Sequence, residues 1–180
     1  MRSTAEARRA VLLDRAVSVF ARNGYHATPV TAVAAAAGIS EAYALRLFSG
    51  KLGLFVAAVE ACYGRILATL ETAAESAPDR DPERLLEHLG DAYAELIADR
   101  DLLLLQVHAQ SVSDIPEVGA VVRTGYGRVV NFLRSVGALD REIQRFIAYG
   151  QLCHLIVTAG LDEVEESWAR ALTDNMFHVP

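Results

Sequence analysis

Residues 28–48, TPVTAVAAAAGISEAYALRLF, constrain this chain more than any other stretch. Thr28 is of a type that caps helices, and Pro29 suits a first helical position, where its missing N–H costs nothing. Val30, Val33, Ala34 and Ala37 then form one narrow apolar face at three- and four-residue steps. Gly38 stops this helix early, and Ser40 is placed to cap another that runs to Phe48. Two short helices joined by so tight a turn cross steeply, with their backbones close at the corner. Small side chains fit there, and glycine accepts the left-handed conformation the corner needs. A cap, a glycine and a second cap in register mark a helix-turn-helix.

The flanking sequence has the same helical period. A helix is expected from Thr4 to Arg22, stopped by Asn23 and Gly24. After Ser49-Gly50-Lys51 a long helix is expected over 51–75, then a polar loop with two prolines over 77–83. Further helices are expected over 82–98, 101–111, 116–136, 141–161 and 163–177. No alternating strand pattern and no internal repeat interrupts them. The fold class expected is all-α: a three-helix N-terminal module over 1–50, its helix-turn-helix at about 29–48, followed by a larger helical domain over 51–180.

Charge separates these two parts. Residues 1–52 carry seven basic groups against three acidic ones, while ten basic and twenty acidic groups lie beyond. A basic head on an acidic body points to a polyanion met by the head alone. A second helix that enters the major groove offers the exposed residues of its first turns to base edges. Here those are Ser40, Ala42, Tyr43 and Arg46, with Glu41 beside them. Tyr43 can bond a phosphate or stack its ring, and Arg46 can reach guanine or a phosphate. Thr28 and Thr31 flank the preceding helix start, and Lys51 opens the long helix, so all three are candidate phosphate contacts.

This segment resembles the N-terminal module of the TetR family of transcriptional regulators. The resemblance rests on Ala16 and Phe20, Gly24-Tyr25, Thr28, Val30, Val33-Ala34, Ala37-Gly38-Ile39-Ser40, Phe48 and Lys51, and spans about residues 8–60. Beyond that, the chain is similar to the family in length and helical pattern. It departs from the family in the second helix of the motif, where a common Gly-Thr-Leu-Tyr run is Ala42-Tyr43-Ala44-Leu45. Leu45 stands where the family usually has an aromatic hydroxyl, and the resemblance makes Tyr43 the candidate to take over its role. Position 31, often basic in the family, is Thr31.

The resemblance implies a sequence-specific DNA-binding regulator, a repressor released from a palindromic operator by a small-molecule effector, and an effector-binding and dimerisation domain over 51–180. A physical argument agrees, because one helix-turn-helix contacts few bases and a two-fold dimer supplies a second. The 141–161 helix is apolar around most of its circumference, more than one core face needs. The expected interface comprises Leu152, Leu155 and Ile156 with Trp168, Leu172 and Met176 of the last helix. The expected pocket draws on Tyr63, Tyr93, Gln106, Gln110, Tyr126 and Tyr149, polar groups set in apolar helices. The alternative left open is a helical ligand-binding or protein-interaction module that has lost DNA binding.

Other classes find less support. The five histidines are scattered, and no metal or nucleophile constellation forms, so neither an enzyme nor a cofactor is expected. Cys62 and Cys153 lack metal-ligand spacing, and a cytoplasmic protein with reduced thiols is expected. No stretch reads as a membrane span: the longest uncharged apolar run, Phe146 to Leu161, has 16 residues with Gln151 and His154 inside it.

Overall fold

The structure, a computed structural model, describes residues 4–174, with side chains from Glu6 onward. Among the described residues all regular structure is helical. They divide into two compact units. One holds the residues up to 64 together with 104–125, and the other holds 65–103 together with those from 126 on.

The first unit begins with α1 (Thr4–Ala27), α2 (Val30–Ala36) and α3 (Glu41–Phe48), and takes in the first half of α4 (Gly50–Ser76). Leu12, Ala16, Val17, Phe20 and Ala21 form the buried stripe of α1, against which Val30, Val33 and Ala34 of α2 pack. The helix expected to stop at Arg22 runs on to Ala27, but only across a break at Gly24, which has φ 71°. That backbone region favours glycine, so the stop signal produces a kink in place of an end. Phe20 meets Phe55 of α4 edge-on at 4.9 Å, and Tyr25 packs on the same ring at 5.1 Å.

The second unit holds the rest of α4 and α5 (Pro82–Ile97), then, after its share of α6 (Arg100–Ser111) and α7 (Pro116–Ser135), α8 (Asp140–Ala159) and α9 (Ser167–Thr173). Asp81 caps α5 by accepting from the Arg84 N–H at 3.4 Å, with Pro82 in the first turn. Glu142 reaches back to the Leu139 N–H at 2.8 Å and fixes the start of α8. The last helix starts later than the expected residue 163. Gly160 turns left-handed at φ 62°, a short 3₁₀ turn covers Leu161–Glu163, and Val164 is extended. Helix resumes at Ser167, where Ala169 gives it a buried side.

Helix α4 is long and apolar enough to cross a membrane by length and composition, a test that a core helix also passes. Glu60 and Arg65 interrupt it, so it is not an uncharged run. Its apolar side chains are core: Leu54, Phe55, Ala58, Val59 and Cys62 are fully buried in the first unit, and Leu70 in the second.

Candidate nucleic-acid interface and a helix-lined cavity

The corner between α2 and α3 is built as the sequence requires. The two helices meet at 103°, Gly38 stands at φ 66°, and Ser40 Oγ accepts from the Tyr43 N–H at 3.3 Å. Ala34 and Ala44 are buried at the crossing, so their small size is a packing requirement. Ala32, Ala35 and Ala36 face solvent, and packing gives no reason for them. Phe48 closes the inner face of α3, with the Arg9 guanidinium over its ring at 4.6 Å.

The outer face of α3 presents Glu41, Ala42 and Arg46 to solvent. Tyr43 is half-buried, and the Arg46 guanidinium lies 5.5 Å from its ring centre, so these two side chains form one cation–π pair. Thr31 and Ser40 are also exposed, and Ser40, Tyr43 and Arg46 are joined by the cap bond and the cation–π pair. Two candidates have other surroundings. Thr28 is fully buried, its hydroxyl has no hydrogen-bond partner, and Pro29 takes the cap position of α2 with no side-chain bond. The expectations that Thr28 caps α2 and offers a surface hydroxyl are thus corrected: its side chain points into the core. Lys51 donates to the His26 carbonyl at 3.2 Å and stands over the Tyr25 ring at 4.9 Å. It ties the end of α1 to the start of α4.

The six expected pocket residues are divided between the two units. In the first unit, Tyr63 is buried with its ring against Gly125, Gln106 is buried on α6, and Gln110 is half-buried. In the second unit, the Tyr126 hydroxyl accepts from Gln151 Nε2 at 2.8 Å. Tyr93 and Tyr149 line a cavity of about 570 Å³ between α5 and α8. Its other walls were not foreseen: Glu83, Glu87 and Asp91 of α5, and Glu142, Arg145 and Phe146 of α8. The α5 carboxylates recur every fourth residue and read as a solvated face. The available signal was Gly90 and Gly150, mid-helix glycines on facing walls.

Behind this cavity the Tyr93 hydroxyl bonds His154 Nε2 at 3.1 Å. Burial pushes the His154 imidazole down to about 4, so it is neutral at physiological pH. Burial also raises the Cys153 thiol, which lines the cavity in its protonated form. Among the described residues no group of three histidine, cysteine or acidic side chains is placed to hold a metal ion.

Of the expected interface, Leu155 and Trp168 are 49% and 56% exposed, and Leu152 and Leu172 are half-buried. Ile156 is fully buried within its own unit, so it is core and not interface. It follows Leu155 directly, and a step of about 100° around the helix carries it to the inner face. Met176 lies outside the described residues.

Residues 12–58 match the profile of bacterial regulatory proteins of the tetR family. No curated protein matches the chain. Among solved structures, a protein from Pseudomonas aeruginosa PAO1 assigned as a transcriptional regulator is 24% identical, with a TM-score of 0.71 over 97% of this chain and 92% of that one. A TetR-like transcriptional regulator from Rhodococcus sp. RHA1 is 22% identical, with a TM-score of 0.65 over 94% and 91%. The multidrug binding protein EbrR, solved in complex with imidazole, is 19% identical, with a TM-score of 0.65 over 97% and 92%. Residues 12–58 are therefore similar to the N-terminal module of the tetR family of bacterial regulatory proteins, and over its length the chain has the fold of these solved structures.

Proposed function

We propose that this regulator is a homodimeric, cytoplasmic repressor that leaves a palindromic operator when a small molecule occupies its C-terminal domain, residues 51–180. The observation that carries the DNA-binding part is the Ser40-capped α3, set at 103° to α2 with Arg46, Tyr43 and Ala42 on its outer side. Arg46 and Tyr43 read or flank base edges, while Thr31 and Ser40 contact phosphates. Lys51 lends its charge to the same surface while holding α1 and α4 together. Thr28 acts from beneath by filling the core under α2.

The effector part is supported by the α5–α8 cavity, whose volume lies within the ordinary range for small-molecule sites. Release is a population shift: the ligand prefers a dimer whose recognition helices no longer match two half-sites, and a nearly complete switch requires a preference of about 5 kcal/mol. Helix α4 runs unbroken from the DNA-binding module into the second unit and provides the covalent path for that coupling.

Selection from random duplexes at two salt concentrations tests this reading. The expected result is an enriched palindrome whose affinity falls steeply with salt and which Arg46→Ala binds about tenfold more weakly. A folded dimer that enriches nothing, with or without cell extract, would make the chain a helical ligand-binding or interaction module without DNA binding.

A further inference from the structure

We infer that the cavity between α5 and α8 selects an organic cation with an aromatic or aliphatic body, an inference that rests on the effector reading above and names the effector's chemistry. Three independent features of the cavity point there. The first is space. A Cβ added to Gly90 meets nothing within 4 Å, and one added to Gly150 comes within 3.4 Å of the Tyr93 ring. Side chains in place of these glycines would occupy the volume from both walls.

The second feature is the wall chemistry. Leu86, Tyr93, Phe146 and Tyr149 give apolar and aromatic surface, with the Tyr93 and Phe146 rings tilted 51° at 6.4 Å. Rings in this arrangement offer π faces that favour a cation lacking strongly held water. Tyr93 is fixed by His154, which is 4% exposed and keeps a buried Nδ1 without a partner.

The third feature is sign. Four carboxylates, Glu83, Glu87, Asp91 and Glu142, line the cavity with one guanidinium, Arg145. Glu83 and Glu87 have no ion-pair partner among the described residues. The neutral His154 and the protonated Cys153 add nothing to offset them. An anion entering the cavity meets net repulsion, a neutral molecule gains only the apolar walls, and a cation gains both walls and charge.

A matched pair of probes isolates that third term. Tetraphenylphosphonium and tetraphenylborate have nearly the same shape and opposite charge. Titration calorimetry on the full-length, DNA-free protein should show the phosphonium bound at least about tenfold more tightly than the borate. The double variant Glu83→Gln/Glu87→Gln should lose most of that preference while leaving the melting temperature nearly unchanged, because these carboxylates support no partner. Gly90→Phe should abolish binding of both probes by filling the space, with folding checked by circular dichroism. Equal binding of the two ions, preference for the borate, binding of neither, or phosphonium binding unaffected by both variants would overturn the inference. Because no DNA is present, these results are independent of the repressor reading. Failure of the phosphonium to release the selected operator, despite selective binding, would count against that reading and leave the cation selectivity standing.

Discussion

His154 gives the fold a residue-level dependence on pH. Its imidazole titrates at about 4 in the folded chain because burial disfavours the charge, against an ordinary value of 6.5. Below pH 6.5 the unfolded chain takes up a proton that the folded chain refuses until about pH 4. The histidine therefore leaves stability undiminished above pH 6.5 and lowers it progressively as the pH falls through that window. The loss approaches about 3 kcal/mol once the pH is below both values. Urea midpoints at pH 7 and pH 4.5 should separate more for the natural chain than for His154→Gln. Carboxylates titrate in both proteins, so the difference between them reports the imidazole, and parallel shifts would place a charged, solvated histidine at 154. Gly125 provides a second test at this scale. A Cβ there would press on the base of the buried Tyr63 ring, atoms that no rotamer change of a flexible tip can move aside. Gly125→Ala should cost about 1–3 kcal/mol in chemical denaturation despite the better helix propensity of alanine, and a neutral result would mean that α7 shifts freely over that ring.

Among the helices, α3 depends on its first turn. Ser40 satisfies the Tyr43 N–H, and the residues proposed to meet DNA sit on the turn that this bond closes. Ser40→Ala should lower stability by about 1 kcal/mol and weaken operator binding further than that loss of folded population accounts for, since the fraying turn carries Ala42 and Tyr43. Ser40→Asp should recover the stability but not the DNA affinity, because it caps equally well and brings a negative charge to the surface proposed to face phosphates. Recovery of both by aspartate would place position 40 away from the phosphates. Signals of this local kind were legible in the sequence. Ser40, Gly38 and the Asp81-Pro82 start act within four residues of themselves, so reading the chain locates them. The Gly24 kink was half legible, because the sequence shows a stop signal but not that helix resumes beyond it. The late start of α9 and the α5–α8 cavity were not legible, since each depends on which faces meet. Glu83, Glu87 and Asp91 have the spacing of any solvated stripe, and only the facing Phe146 and Tyr149 of α8 make them the rim of a cavity.

In the whole molecule, the proposed repressor requires a dimer surface, and the single chain leaves apolar side chains exposed that suit one. Leu155 on α8 and Trp168 on α9 are each about half exposed, and α8 and α9 are in contact. Single exposed apolar residues are ordinary, but a tryptophan and a leucine on two touching helices suit an interface centre. The DNA argument requires such a surface independently. One α3 reads a few base pairs, whereas two held about 34–36 Å apart read successive turns of the groove. Leu155→Glu with Trp168→Glu should therefore yield a folded monomer by sedimentation. It should lose operator binding by more than about a hundredfold, although both substitutions lie far along the chain from α3. Joining two such chains through a flexible linker should restore part of the affinity by raising the effective concentration of the second module. A variant that stays dimeric would move the interface elsewhere. A monomer that binds the operator undiminished would mean that one helix-turn-helix suffices, and the two-fold geometry of the proposed repressor would then have no role.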